Sequence, residues 1–332
     1  MSKKSITITE RIQSIRSQLC AGLHEREEVM TVALLAVLAG QSVFLLGPPG
    51  TAKSLMARRL SCAFKDKEYF EYLMQKFSTP EEIFGPIDIV KLKVGSYYRK
   101  TENYLPKADF AFLDEIWKSN SAILNTLLTI INEKKFRNGD DDPNVPLKAL
   151  IGASNETPKA DEGLEALWDR FIVRLYVPRL SEDSSFEALL QNSSVKEQVM
   201  VADELAISKA DWEKWQDEIE TVKLSPETMQ AIHFIKNELK LLHEKDPQSM
   251  EYYVSDRRWQ RAVKVIKSSA FFSGRDKTTH LDTLLLRHCL WSSKAGMDVI
   301  GEIVIRHVGS LLIPDINLAE IDQLLEQAES FV

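Results

Sequence analysis

Lys53 and Ser54 stand directly after a glycine-containing turn, and Asp114 and Glu115 stand at the end of an apolar run farther along. A lysine beside a hydroxyl, and a pair of adjacent carboxylates, are the groups that phosphate and divalent-cation chemistry needs. Gly47-Pro48-Pro49-Gly50-Thr51-Ala52-Lys53-Ser54 follows Val43-Phe44-Leu45-Leu46 and opens a helical run from Leu55. An apolar strand, a glycine turn and a helix start form the context in which backbone N–H groups cradle phosphates. Pro49, Gly50, Thr51, Ala52, Lys53, Ser54 and Leu55 make up this candidate nucleotide loop. Lys53 is placed for the β- and γ-phosphates, and Ser54 for Mg²⁺. The usual spacing carries glycine where this chain has Ala52. Alanine keeps the backbone donor and is expected to fit there with a negative φ.

The second set sits at the end of Phe110-Ala111-Phe112-Leu113, an apolar strand. In open α/β sheets ligands gather at the carboxyl ends of strands. Asp114 is assigned to the Mg²⁺ hydration shell and Glu115 to the attacking water. Two neighbouring carboxylates there repel one another unless a cation lies close, which itself argues for the metal. An acidic helix cap ahead of Ile116-Trp117-Lys118 is the plainer alternative, and the upstream lysine loop weighs against it. Residues 147–153 form the next strand, ending in Ser154-Asn155. If that strand lies between the other two, the Asn155 amide meets the γ-phosphate and the water.

The elements that must position these groups follow from periodicity. Residues 7–20 place Ile8, Ile12, Ile15 and Leu19 on one helical face, and 27–39 make a second, very apolar helix. In P-loop ATPases of this layout the turn ahead of the second helix packs on adenine, so Leu23 and His24 are candidate base contacts. A surface turn residue is the other reading of His24. Tyr69-Phe70-Glu71-Tyr72-Leu73-Met74 is a strand, and Ser78-Thr79-Pro80-Glu81-Glu82 starts a helix. Residues 87–104 are predicted to be a β-hairpin inserted within a helix. Its Tyr97 and Tyr98 are either packed or available to a threaded polypeptide. An amphipathic helix over 121–133 leads to a second hairpin with its tip at Asn138-Gly139-Asp140-Asp141-Asp142-Pro143. A helix over 160–170 and a strand over 172–177 close the α/β part at Pro178.

Strand signals nearly vanish after Ser181. Ser208, Ser225 and Ser255 are N-caps before helical periods. Helices are expected over 225–245, 255–272, 281–291, 295–312 and 318–331, with mobile connectors at 192–196 and 244–250. Trp212, Trp215, Trp259 and Trp291 recur at helical spacing and read as core. The domain reading is a nucleotide-binding core over 1–180, a linker over 181–200 and an all-α lid over 201–312. A C-terminal helix over 313–332 would start a truncated extension.

The 332 residues are 44% hydrophobic and 27% charged, an ordinary globular composition. A net charge of −7 provides no overall basic field for nucleic acid. Cys20, Cys62 and Cys289 lie far apart and read as reduced thiols, and the six histidines form no ligand cluster. With no apolar leader and no run of about 18 apolar residues, the expected location is the cytoplasm, with no membrane span.

Taken together, Gly47 to Ser54, Phe112-Leu113-Asp114-Glu115, Ala153-Ser154-Asn155-Glu156, Ala166 to Phe171 and Val254-Ser255-Asp256-Arg257-Arg258-Trp259 resemble the MoxR branch of the AAA+ ATPases. In that branch alanine is usual at position 52. Phe77 to Gly85 and Tyr253 to Trp259 resemble the regulatory ATPase variant (RavA) group in particular. The resemblance implies an α/β AAA+ core with a five-stranded parallel sheet, order 5-1-4-3-2, and an α-helical lid. It implies ATP/ADP and Mg²⁺ as cofactors and ATP hydrolysis as the activity. Asn155 then corresponds to sensor 1, Arg170 to the arginine finger reaching a neighbour, and Arg257 or Arg258 to sensor 2. A homo-oligomeric, hexameric ring remodelling a protein client, with a von Willebrand factor A-domain partner, is the implied assembly. A DNA-dependent motor or loader is the competing function, and a slow nucleotide-switched scaffold a third.

Overall fold

A computed structural model describes residues 6–158, 163–191, 199–247 and 249–312. Two helices come first, α1 (Ile8–Cys20) and α2 (Glu27–Leu38). Thr7 and Glu10 cap α1 reciprocally, each side chain accepting the other's backbone N–H, at 3.2 and 2.9 Å. Strand β1 (Ser42–Leu46) follows, then α3 (Lys53–Ser61), β2 (Tyr69–Leu73), α4 (Pro80–Phe84) and α5 (Ile89–Lys93). Next come β3 (Phe110–Asp114), α6 (Ser121–Glu133), β4 (Ala149–Ser154), α7 (Glu165–Trp168) and β5 (Phe171–Tyr176). The helices α8 (Asp183–Gln191), α9 (Lys209–Thr221), α10 (Pro226–Lys245), α11 (Asp256–Phe272) and α12 (Lys294–Leu312) complete the described chain.

All five strands are parallel, in the order β2-β3-β4-β1-β5. This is the expected 5-1-4-3-2 order read from the other edge. β1 is buried along its whole length, and β3, β4 and β5 nearly so, as strands covered on both faces must be. β2, at the edge, is half exposed. Parallel register brings Leu46 beside Ser154 and Tyr176, and Asp114 beside Ala153. The carboxyl ends of β1, β3 and β4 therefore share one rim.

Beyond the sheet, Ser208, Ser225 and Ser255 each accept a backbone N–H from three residues on, so the three predicted caps are present. Arg174 is completely buried at the junction with the core. It donates to the carbonyls of Phe171 (2.9 Å), Trp168 (2.7 Å) and Trp291 of the lid. Trp215 and Trp291 are buried, and Trp212 and Trp259 pack partly buried against the core, as their spacing indicates.

Three expectations need correction. Residues 87–104 have hairpin legs only at their base, where Asp88 donates to Tyr98 at 2.7 Å and Lys100 to Pro86 at 2.8 Å. Asp88 also accepts the N–H groups of Val90 and Lys91, so the tip winds into α5 instead of continuing as strand. The segment is not inside a helix either, because α4 ends at Gly85, whose φ of 98° suits glycine. Residues 280–288 form a 3₁₀ helix where an α-helix was expected. Asp282 accepts from Thr279, Ser269 and Arg275, and these bonds hold the first turn tightly against α11. Of the helix expected over 160–170, the described part is only α7. The connector at 192–196 and the helix at 318–331 lie outside the described residues, as does position 248 within the other connector.

Candidate active site

The loop after β1 is held by its neighbours before any ligand is considered. Gly47 donates to Ser154 at 3.1 Å, tying the loop to the end of β4. A side chain at Gly47 would place Cβ 2.2 Å from the Val177 carbonyl, so no larger residue fits. Thr51 donates to the Pro48 carbonyl at 2.9 Å, and Gly50 turns the chain with φ of 77°. Ala52 takes φ of 67°, which overturns the negative φ expected for it. The helix entry requires the left-handed conformation whichever residue occupies the position, and alanine bears its steric penalty of about 1–2 kcal/mol.

No side chain caps α3, so its first N–H groups face the loop with the positive end of the helix dipole behind them. Lys53 opens that helix and is buried, its amine donating to Gly47 at 2.7 Å and Pro48 at 3.0 Å. Burial lowers its pKa, and the carboxylates of Asp114 and Glu115 oppose that shift. Burial in turn raises the pKa of Asp114, opposed by the Glu115 N–H and by Lys53. Glu115 leaves β3 at φ of 52°, a sharp turn that aims its carboxylate along the rim. That carboxylate lies 3.4 Å from the Ser154 hydroxyl and 3.4 Å from the Lys118 amine. Asn155 is exposed one residue beyond Ser154, beside the loop and between β1 and β3.

Ser54 and Asp114 supply hard oxygen donors of the kind Mg²⁺ takes. Among the described residues no group of three or more His, Cys, Asp or Glu could hold a metal by itself.

Not every predicted residue gathers here. Arg170 and Arg257 line a cavity of about 510 Å³ beside Gly40, Gln41 and Ser42, at the amino end of β1 and away from the loop. Arg170 is held ready by Asn132 at 2.8 Å and the Ala166 carbonyl at 2.9 Å. Burial lowers its pKa, and the neighbouring Arg257 adds to the effect. Arg257 is exposed, whereas Arg258 is buried. Arg258 pairs with Asp169 at 3.1 Å and reaches the Leu290 carbonyl and Ser292 hydroxyl at 3.3 Å. It ties the lid to the core.

Leu23 is buried in the core, while His24 is half-buried on the turn. A cavity of about 200 Å³ lies between core and lid, bounded by Val29, Tyr176, His288 and Met297. Its Tyr176 pairs in register with Leu46, the last residue before the loop. Periodicity offered no signal for its lid residues. Lys134 and Arg261, which line the cationic cavity, were also missed. The four-residue step from Arg257 to Arg261 was the available clue, since it stacks two like charges on one helical face.

Residues 10–217 match the family model of the MoxR domain in the MoxR-vWA-beta-propeller ternary systems, and residues 227–304 match an AAA lid domain. The chain belongs to the MoxR branch of the AAA+ ATPases. An uncharacterized protein of Methanocaldococcus jannaschii is 37% identical over 97% of this chain and 78% of its own length. A second from that organism is 36% identical over 85% and 71%. A structural protein of Acidianus two-tailed virus is 27% identical over 84% of this chain and half of its own. The crystal structure of a candidate ATPase from Cytophaga hutchinsonii superimposes with a TM-score of 0.67 at 20% identity, covering 93% of this chain and 95% of that one, and supports the AAA+ fold. No helix among the described residues is long and apolar enough to cross a membrane.

Proposed function

We propose that this MoxR protein binds ATP with Mg²⁺ and hydrolyses it in a ring of its own copies. One observation carries the reading. The loop, Asp114 and Glu115 occupy one end of β1, and Arg170 and Arg257 the other, so a head-to-tail neighbour can complete each site. Backbone N–H groups and Lys53 hold the phosphates, Asn155 positions the terminal phosphate, and Glu115 takes the proton of the attacking water. Mg²⁺, held through Ser54 and Asp114, would neutralise charge on the β- and γ-phosphates. The cavity beside Tyr176, bounded by Val29, His288 and Met297, takes the adenine. Arg170, delivered across the interface, stabilises the charge that develops on the transferred phosphoryl group.

A hexamer and a cytoplasmic location follow from the family resemblance, as does remodelling of a protein client. The matched description favours a von Willebrand factor A-domain protein and a β-propeller protein as partners. Within the branch, the motifs at Phe77 to Gly85 and Tyr253 to Trp259 resemble the regulatory ATPase variant group. Exposed Ile89 and Val90 on α5, with Val94 just after it, are a contact surface for client or partner. Nothing in the charge balance favours the DNA-loader alternative, and turnover measured with and without DNA separates the two. The reading is tested by mixing Arg170→Ala with Lys53→Ala subunits, each nearly inactive alone. Partial return of turnover is expected, since some interfaces then join an intact loop to an intact arginine. Sedimentation must show mixed oligomers, and no recovery at any ratio removes the cross-subunit role.

A further inference from the structure

The cationic cavity holds more charge than an arginine finger requires. Lys134, Arg170, Arg257 and Arg261 all line it, and its single carboxylate is that of the exposed Glu133. Among the described residues no side chain pairs with the charged ends of Lys134, Arg257 or Arg261. Like charges gathered without a counter-ion disfavour one another. Burial and the nearby Arg261 push the Lys134 amine down to about 8. Lys134 is also the C-cap of α6 at φ of 53°, a position that glycine or asparagine fills with less strain. A strained backbone thus holds a long cation against other cations.

We propose that Lys134 and Arg261 bind the terminal phosphates of the nucleotide seated on the loop of a second copy of this chain, alongside Arg170 and Arg257. This rests on the ring reading above. The cavity begins at Ser42, and the chain's own loop begins after Leu46, at the far end of a strand about 13 Å long. Guanidinium groups match phosphate oxygens in pairs, and an ammonium adds a point charge, so the set suits a polyanion.

Lys134→Asn tests the inference, because asparagine accepts the left-handed backbone and removes the charge. Turnover should fall by about 10- to 100-fold, the effect of losing one charge-assisted bond. Lys134→Arg should retain most activity, and Arg261→Gln should fall like Lys134→Asn. Nucleotide affinity of isolated subunits should stay unchanged, and thermal unfolding should not fall, because asparagine relieves the backbone strain and removes a like charge. Mixing Lys134→Asn with Lys53→Ala subunits should restore activity. Near-normal turnover by Lys134→Asn, with Arg170→Ala inactive, overturns the inference and leaves the ring reading standing. If Arg170→Ala is also active, the ring reading itself fails. A loss that mixing does not repair, while the Arg170→Ala mixture recovers, places Lys134 within its own subunit and overturns the cross-subunit role. Tight binding of tripolyphosphate by monomeric Lys53→Ala, abolished by Lys134→Asn, would show a free-anion site and overturn the second copy as the source.

Discussion

The two ends of β1 differ in how they are built. At the carboxyl end the eight consecutive residues Gly47 to Ser54 supply a turn, backbone donors and Lys53, and two adjacent residues supply the carboxylates. At the amino end the end of α6, the turn after α7 and the first turns of α11 each contribute one or two long cations. The first is a local, backbone-made cradle, with Gly50, Ala52 and Glu115 all at positive φ. The second is a side-chain cluster that exists only once distant elements have packed. Each has what the other lacks, and the sheet keeps them apart within one chain. That separation makes a shared interface the natural arrangement.

The strongest way to break the comparison is to empty one end. Lys53→Ala should abolish nucleotide binding, since Lys53 is the cation that the cradle itself supplies to the β- and γ-phosphates; titration with a fluorescent ATP analogue reads it. Tight retention would sink the loop assignment. Glu115→Gln should keep ATP bound while turnover nearly stops, because the amide holds its shape but takes no proton. Arg170→Ala should leave single-subunit affinity roughly intact and lower turnover by about 10³–10⁵, the worth of an arginine finger. Loss of affinity instead would mean that the amino-end cations serve the same chain's nucleotide.

The same difference explains what was legible beforehand. The loop, the Asp114-Glu115 pair and three serine caps lie in short stretches whose residue types carry their own physical reason, whereas the strand order came from the resemblance. The cationic end was seen only in part. Arg170 and Arg257 came from a resemblance, and Lys134 and Arg261 were missed because their partner is the cavity itself. Neighbouring Arg257 and Arg258 could not be told apart along the chain. On α11 they point about 100° apart, so one faces solvent and the other reaches Asp169. The α5 turn was missed because the Asp88 cap was read as part of a strand leg.

Asp169 joins the core to α11 beside the cationic end, and its removal is the next largest effect. Its carboxylate accepts from Arg258 at 3.1 Å and from the Ser255 hydroxyl at 2.9 Å, pinning the start of α11 to the core. Asp169→Asn leaves a buried guanidinium without its counter-ion, which should cost about 3–5 kcal/mol of stability. Urea unfolding measures it. A change below about 1 kcal/mol would mean that water or another acceptor serves Arg258 as well.

The smallest effect falls on the cradle, at the residue where expectation and structure disagree. Ala52 sits at φ of 67°, where a β-carbon is disfavoured by about 1–2 kcal/mol. Ala52→Gly removes that strain but gives the unfolded chain more freedom, a loss of about 0.4–1 kcal/mol. The strain term is the larger, so the variant should gain up to about 1 kcal/mol in urea unfolding. ATP affinity should hardly change, because either residue offers the same N–H. Ala52→Val should move the other way, since a β-branched side chain tolerates the left-handed region worst. Destabilisation by glycine together with tolerance of valine would show that position 52 rests at negative φ after all. The cradle would then reach its left-handed turn only with phosphate bound, and the contrast between a prebuilt backbone end and an assembled side-chain end would narrow.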